Sequence, residues 1–331
     1  MRVLAAADKF RGTATAADVV RAIGEACWEL GHDCVEIPMA DGGEGTLAVL
    51  GGANRTSTVT GPLGDTVRAG WRLSRNLAVI EMAAASGLDL VGGAVANDAM
   101  AATTTGTGEL IDQALDAGAS TIIVCLGGSA TTDGGLGAVR AITAPARLRR
   151  VRFLVACDVE TRFTDAARVF GPQKGATPAQ VKLLTARLER LADVYRHDYG
   201  VDVTRIDGAG AAGGLAGGLA ALGGRLVPGF DLVADELDLH DEVAAADVVV
   251  TGEGYLDAQS FHGKVVGGVQ RLATAAGKPV AAVVGGANSE ARHRIRHESL
   301  VERFGSELAY AQPLHCVRRA AAMLLGAGDW R

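Results

Sequence analysis

Long apolar runs, excess basic charge, aromatic side chains and paired cysteines are all scarce in this chain, and each scarcity removes a class of function. No apolar stretch approaches the roughly 20 residues needed to cross a bilayer. The uncharged segment 208–224 is mostly glycine and alanine, so it is barely hydrophobic. Aromatics make up only 4% of the residues, which disfavours a base-stacking surface. Lys and Arg number 32 against 38 Asp and Glu, a net charge of −6, so the electrostatic footprint of a general nucleic-acid binder is missing. The five cysteines, Cys27, Cys34, Cys125, Cys157 and Cys316, are odd in number, scattered and without a CxxC pair. That spacing reads as reduced thiols of a cytosolic protein, not as a disulfide or zinc framework. The N-terminal MRVLAAADKF has too short an apolar part for a signal peptide and no cleavage pattern follows, so a cytoplasmic location with no membrane partner is expected.

What the chain has in abundance is glycine: 45 of 331 residues, about twice the usual share of roughly 7%. The glycines cluster after apolar runs, as they do in the ligand loops of α/β proteins, where the backbone must approach a phosphate closely. At roughly 150 residues per domain, the length predicts two domains. Strands are predicted at Val3–Ala7, Cys34–Met39, Thr121–Leu126, Arg152–Cys157, Val201–Ile206, Asp247–Thr251 and Pro279–Val284. Short strands at Thr56–Thr60, Thr66–Leu73 and Leu77–Met82 suggest a meander. Helices are predicted at Ala14–Leu30, Thr107–Ala117, Pro178–Arg196, Lys264–Ala276 and Leu314–Leu325. The ends of the chain therefore read as parallel α/β and the middle as mixed. The expected architecture is two α/β domains. One is a flavodoxin-like or Rossmann-like parallel sheet built from 1–54 and 240–331. The other is an inserted mixed α/β domain over 55–239.

Four glycine-rich segments follow predicted strands: Ala40–Thr46, Gly127–Gly135, Gly208–Gly218 and Thr251–Asp257. Ligands of open α/β sheets bind beyond the carboxyl ends of strands, and free amides there suit an anion. Asp8, Asp41, Glu44, Asp133, Asp158, Glu253 and Asp257 all fall at or just past predicted strand ends, with Lys9, Arg11 and Lys264 as nearby cations. These are the residue types of phosphoryl transfer: amides and cations for phosphate oxygens, carboxylates for Mg²⁺ and for the acceptor's proton. A cap or turn role is a serious rival for any one of the acids. No Walker A pattern occurs, since His262-Gly263-Lys264-Val265 lacks both the spacing and the Ser/Thr. Gly208-Ala209-Gly210-Ala211-Ala212-Gly213 formally fits the dinucleotide fingerprint, with Asp231 about 20 residues on, which keeps an NAD-dependent oxidoreductase open. His293 and His297 have the i, i+4 spacing of helical metal ligands, but the arginines around them favour a solvated face. Cys157 lacks a nearby histidine and reads as a buried small residue, not a nucleophile.

Taken together, the segments resemble the bacterial glycerate kinase family, of the type with an Asp-Ser-Phe-Lys-Gly motif near the N-terminus. That motif stands here as Asp8-Lys9-Phe10-Arg11-Gly12. The resemblance continues through Pro38–Thr46, Glu81–Leu88, Thr103–Ile111, Gly127–Gly137, Ala156–Val159, Val169–Ala176, Gly208–Gly218, Thr251–Gly254 and Asp257–Lys264. It implies ATP-dependent phosphorylation of D-glycerate, with Mg²⁺, to a phosphoglycerate, 2-phosphoglycerate being favoured. It also implies an active site in the cleft between the domains. On that resemblance Asp41, Asp257 and Lys264 are the expected catalytic groups, with Asp41 the acceptor's base. Lys9, Arg11, Asp8, Glu44 and Asp158 would bind the substrate. Gly127, Gly128, Ser129, Thr131, Asp133, Gly210 and Gly213 would hold the nucleotide, and Asp158, Asp257 and Glu253 the metal. The chain departs from the family at Lys9 and Arg11, at Tyr255 where an arginine is usual, and in the compact stretch Ala141–Arg150. The match fades after Gly286. A non-catalytic sugar-acid or nucleotide sensor is the other open reading, and a homo-oligomer is compatible with the sequence.

Overall fold

The structure is a computed structural model and describes residues 1–327 and Trp330. The chain divides into two compact units, the first formed by Met1–Asp41 and Gly229–Arg331, the second by Gly42–Pro228. The strands among the described residues are β1 (Arg2–Ala7), β2 (Asp33–Pro38), β3 (Arg55–Thr60), β4 (Thr66–Ser74), β5 (Leu77–Glu81), β6 (Thr121–Cys125), β7 (Arg152–Ala156), β8 (Arg225–Val227), β9 (Val248–Leu256), β10 (Val280–Ala287) and β11 (Arg296–Ser299).

In the first unit five strands form one sheet in the order β2-β1-β9-β10-β11, every pair parallel. Side chains alternate between its faces, as the pleat requires. Val3, Ala5, Val248, Val250, Ala281 and Val283 join a core with the helices Ala16–Glu29 and Pro313–Gly326. Ala282 and Val284 point the other way and join Val266 of the helix Val265–Ala275. Burial on both faces explains why these strands read as continuous apolar runs instead of alternating ones. Numbered within the unit, the strand order is 2-1-3-4-5, the flavodoxin-like order.

The second unit carries a six-stranded mixed sheet, β3-β4-β5-β6-β7-β8. β3, β4 and β5 are antiparallel neighbours, and from β5 onward every pair is parallel. The meander expected over 56–82 is therefore present and runs directly into a parallel half-sheet. Ile80, Val124 and Val155 anchor the core beneath it with Leu110, Ile111, Leu188 and Leu215. The long helix Pro178–Tyr199 begins with a capping box between Thr177 and Gln180 and with proline at its first position, the start that the sequence signals.

Three local expectations are corrected. The strand expected at 201–206 is a single 3-10 turn, Val203–Arg205. The Asp202 carboxylate accepts from the Thr204 amide at 3.2 Å and from its hydroxyl at 2.6 Å, a local turn that competes with extended backbone. The Gly208 fingerprint thus lacks its preceding strand, and the context that a dinucleotide site requires is absent. The helix that follows, Ala211–Ala221, is buried along its whole length and contains left-handed backbone at Ala212, Gly213 and Gly214. A Cβ at Gly213 would strike the carbonyl of Thr131, and one at Gly210 that of Arg162. These glycines serve close packing. The fourth glycine segment is not a loop either: Thr251 to Leu256 are the second half of β9. The stretch around His293 and His297 is not helical: His297 lies in β11, opposite Ala282, and among the described residues no three acids, histidines or cysteines gather as a metal site.

Gly213→Ala should lower the unfolding free energy by about 2 kcal/mol or more, from left-handed strain and overpacking together. Urea denaturation measures it, and a variant as stable as the parent would refute the packing role.

Candidate active site

The parallel sheet of the first unit creates a crevice by its connectivity. The crossover from β1 to β2 passes through the helix Ala16–Glu29 on one face, and the crossover from β9 to β10 passes through Val265–Ala275 on the other. β1 and β9 are neighbours, so the chain leaves them in opposite directions, and their carboxyl ends flank the place where ligands of open sheets bind. β1 ends at Ala7, paired with Gly252. The amide of Asp8 makes one last bond to the Gly252 carbonyl at 2.9 Å, after which the chain turns into a tight hairpin. Phe10 and Ala14 exchange backbone bonds of 2.9 Å across it, and Gly12 takes φ 78°. Arg11 sits exposed near its tip. Because β1 has left the sheet, Gly254 faces the hairpin: a Cβ there would lie 3.3 Å from the Arg11 amide nitrogen. The glycines of Thr251-Gly252-Glu253-Gly254 therefore permit backbone approach within the sheet.

Four charged side chains of the expected site meet at this crevice. Burial, reinforced by the charge of the neighbouring Asp41, pushes the Asp8 carboxyl up to about 7, against the pull of Lys9 and Lys264. Burial likewise raises Glu253 to about 7, opposed by a hydrogen bond from Ser260 and by Lys264. Glu253 is only 7% exposed, and its Oε1 has no hydrogen-bond partner. Lys264 stands at the N-terminal boundary of the helix Val265–Ala275, within electrostatic reach of both acids. Asp257 behaves differently. Its Oδ1 accepts from the amides of Gln259 at 2.8 Å and Ser260 at 3.1 Å, and these bonds make it the cap of the turn Ala258–Phe261. The rival reading for loop acids holds at that position.

In the second unit the Gly127–Gly135 loop follows β6 directly. It packs so closely on the Gly42–Thr46 turn that a Cβ at Gly127 would lie 2.6 Å from the Glu44 amide nitrogen. The turn itself is held by Glu81 at the end of β5, whose Oε1 accepts from the amides of Gly45 at 2.8 Å and Leu47 at 2.7 Å. Gly128 and Ser129 reach the surface. Thr131 does not: it is fully buried, and its hydroxyl has no partner. Asp133 is a clamp, accepting from the Thr104 amide and hydroxyl at 2.9 and 2.8 Å and from the amides of Gly135 and Gly137 at 3.0 and 3.1 Å. A carboxylate so engaged frames the loop and would repel a phosphate. Of the residues expected to hold the nucleotide, Gly128 is exposed and Gly127 and Ser129 are half-buried, whereas Thr131, Gly210 and Gly213 are interior. Asp158 is exposed beyond β7, and Glu44 is exposed on its turn. Cys157 donates to the carbonyl of Val159 at 3.4 Å, and burial pushes its thiol up, which leaves it inert.

Sequence reasoning missed the roles of Glu81 and Lys174. Lys174 is 2% exposed, and its Nζ donates to the Thr131 carbonyl at 2.7 Å. Burial pulls its ammonium down to about 7. Asn97 ties the same two segments together, donating to the carbonyls of Ala130 at 3.0 Å and Lys174 at 2.9 Å. The signal available for Lys174 was its place in the Phe170-Gly171-Pro172-Gln173-Lys174-Gly175 segment, and nothing in that spacing shows that the ammonium is inside.

The family profile described as the glycerate kinase family matches residues 3–145 and 143–326. The chain belongs to the glycerate kinase family. The match reaches the last helix, so the fading after Gly286 is corrected: the similarity covers both units. Among relatives, the chain is 40% identical over 325 residues to glycerate 2-kinase of Escherichia coli K12, covering 86% of this chain and 85% of that one. It is 41% identical to glycerate kinase of Haemophilus influenzae, with 86% of each chain covered. The crystal structure of a protein assigned as glycerate kinase 2 of Salmonella typhimurium LT2 superposes with a TM-score of 0.82 at 34% identity, covering 100% of both chains. The family is one of phosphotransferases, and no helix of the described residues is long and apolar enough to cross a membrane.

The raised acids set a pH dependence of stability. Glu253 titrates near 4.5 in the unfolded chain and near 7 when folded, so the folded state holds a proton the unfolded state gives up, and stability falls as pH rises between those values. Glu253→Gln, which cannot ionise, should be more thermostable than the parent at about pH 8 and indistinguishable from it at about pH 4. A thermal melt series across that range checks the sign.

Proposed function

We propose that this protein phosphorylates D-glycerate at the expense of ATP and yields 2-phosphoglycerate. The observation that carries the reading is the crevice of the first unit: a half-buried and a buried carboxylate near neutrality, Asp8 and Glu253, facing Lys264 at the β1/β9 switch point. The family assignment and the name of the Escherichia coli relative supply the substrate and the hydroxyl. Lys9 and Arg11, on the hairpin beside Asp8, bind the glycerate carboxylate. The hydroxyl oxygen attacks the γ-phosphorus, a new O–P bond forms, the bond to the β-phosphate oxygen breaks, and ADP leaves with the electron pair. The hydroxyl proton goes to a carboxylate. Sequence reasoning gave that part to Asp41. The electrostatics favour Asp8, because burial, with the Asp41 charge beside it, raises its affinity for a proton to the range in which a base works near pH 7. Lys264 offsets the charge that develops on the transferring group.

Magnesium fits the residues present. Glu253 offers a buried oxygen with no partner, and Mg²⁺ is usually held by one or two carboxylates together with substrate phosphates, not by an all-protein cage. Glu253 would hold the ion in the first unit, where Oδ1 of Asp257 is engaged as a cap. When bound, the ion neutralises charge on the nucleotide phosphates.

Asp8→Asn should lower kcat about 100-fold or more, with the KM for ATP little changed. The parent's kcat/KM for glycerate should rise with pH through about 7 as Asp8 loses its proton. A coupled assay of ADP release with D-glycerate, L-glycerate, tartronate and no acceptor tests the reading, and phosphorus NMR of the product assigns the hydroxyl. Folded protein that binds ATP and turns over none of these acceptors would overturn it.

A further inference from the structure

The crossover from β1 to β2 brings two cysteines together. Cys27 lies in the last turn of the helix Ala16–Glu29 and is fully buried, whereas Cys34 is the second residue of β2 and half-buried. The connection between them is short and fixed. The Cys27 carbonyl accepts from the amides of Leu30 at 3.1 Å and His32 at 2.9 Å, and Gly31 takes φ 73° in the turn. Cys34 stands in register with Val3 of β1, so the two side chains share a face of the sheet. Val3 belongs to the core that includes Cys27, and Cys34 packs against that core. A second contact fixes the same alignment. Gly24 of the helix faces Glu36 of β2 so closely that a Cβ there would collide with the Glu36 carboxylate. Cys27 is three residues further along the helix, about 4.5 Å, and Cys34 is two residues back along the strand, about 6.6 Å. The helix returns antiparallel to the strands it joins, so both steps lead to the same place.

There the two thiols are hydrogen-bonded to each other. That bond raises the Cys27 thiol, with burial and the charge of Cys34 adding to it. The same bond lowers Cys34, against burial and the charge of Glu36. Cys27 therefore keeps the proton, and Cys34 is the thiol that ionises first and the one nearer solvent, as a reactive thiol must be. Cys157 and Cys316 are turned to carbonyls instead, the first to Val159 and Gly208, the second to Leu308.

We propose that Cys27 and Cys34 are a thiol modification site, a dithiol that a small hydroperoxide converts reversibly to a disulfide. The Cys34 thiolate attacks one peroxide oxygen, an S–O bond forms, the O–O bond breaks, and the departing oxygen takes up a proton and leaves as water or an alcohol. The product is a sulfenic acid. Cys34 then carries no charge, so the charge that holds the Cys27 proton in place is gone. The Cys27 sulfur attacks the Cys34 sulfur, an S–S bond forms, the S–O bond breaks, and hydroxide leaves with the electron pair and takes the Cys27 proton to become water. The two thiols lose two electrons and the peroxide gains them. A thiol reductant reverses the change, and closure keeps Cys34 from the irreversible sulfinic and sulfonic acids. The pair sits under the helix and away from Asp8 and Glu253, so the modification does not depend on the phosphoryl-transfer reading.

The test treats the intact, reduced protein with hydrogen peroxide and maps its cysteines by peptide mass spectrometry. Both residues fall in the tryptic peptide 22–55, so the bridge reads as the loss of two hydrogens from one peptide. The parent should lose them about tenfold or more faster than its other cysteines are oxidised, and dithiothreitol should restore them. Cys27→Ala should leave a sulfenic acid at Cys34 that dimedone captures. Cys34→Ser should leave Cys27 as slow to oxidise as Cys316. Circular dichroism melts establish that the variants are folded, and Cys34→Ser, at a half-buried position, keeps the test open if Cys27→Ala does not fold. Two free thiols in this peptide after Cys157 has been oxidised would overturn the proposal. So would Cys34 passing to the sulfinic acid in the parent while Cys27 stays reduced, or Cys27 oxidising at the parent's rate in Cys34→Ser.

Discussion

The first unit depends on one geometric constraint: a crossover between parallel strands has a fixed hand. A sheet ordered β2-β1-β9-β10-β11 must therefore send the helix after β1 to one face and the helix after β9 to the other. The divergence leaves the carboxyl ends of β1 and β9 uncovered by either helix. The placement of the unit's two raised acids follows from the opening. Asp8 is the first residue beyond β1, and Glu253 is the first residue of β9 beyond its last partner on β1. Both are partly shut away from water yet face Lys264. Carboxylates in such a position are poor anions, which costs the fold stability at neutral pH and leaves them able to accept a proton.

The second unit solves another problem, that of holding a glycine-rich loop still. Glycine lets the backbone approach a ligand or a neighbour, and it also loosens the chain. Here the loop is fixed from three sides. Asp133 joins it to the start of the helix Thr105–Asp116 through Thr104. The buried ammonium of Lys174 holds the Thr131 carbonyl, and Gly213 packs beneath that same carbonyl. A lysine buried without a carboxylate in contact is unfavourable as a cation, and its bond to a loop carbonyl ties the loop to the segment that carries it. The Thr131 and Thr132 hydroxyls are left without partners by the same tight packing.

Much of this was legible in the sequence because it rests on local signals. Apolar runs marked the parallel strands, turn residues at Gly61–Asp65 marked the meander, and Thr177-Pro178 marked the start of the long helix. The family motifs, read in order, pointed to the glycerate kinases, and the profile match bears that out over both units. The readings that failed were the ones in which a residue type was given a role without its surroundings. Gly208–Gly213 satisfied a dinucleotide pattern, yet Asp202 turned the preceding segment away from strand. For Asp257 and Asp133, which match the chemistry of ligands, the structure adds what the sequence did not show: a cap through Oδ1 of the first and a clamp through both oxygens of the second.

The sequence by itself determined the class of fold, the family and which acids and cations stand at strand ends, because strand and helix periods and motif spacing are properties of neighbouring residues. Only the tertiary structure decided which of those acids come together in one crevice and which accept from backbone amides. Burial and pairing depend on residues hundreds of positions apart, such as Asp8 and Glu253 across adjacent strands, and no local pattern carries that information.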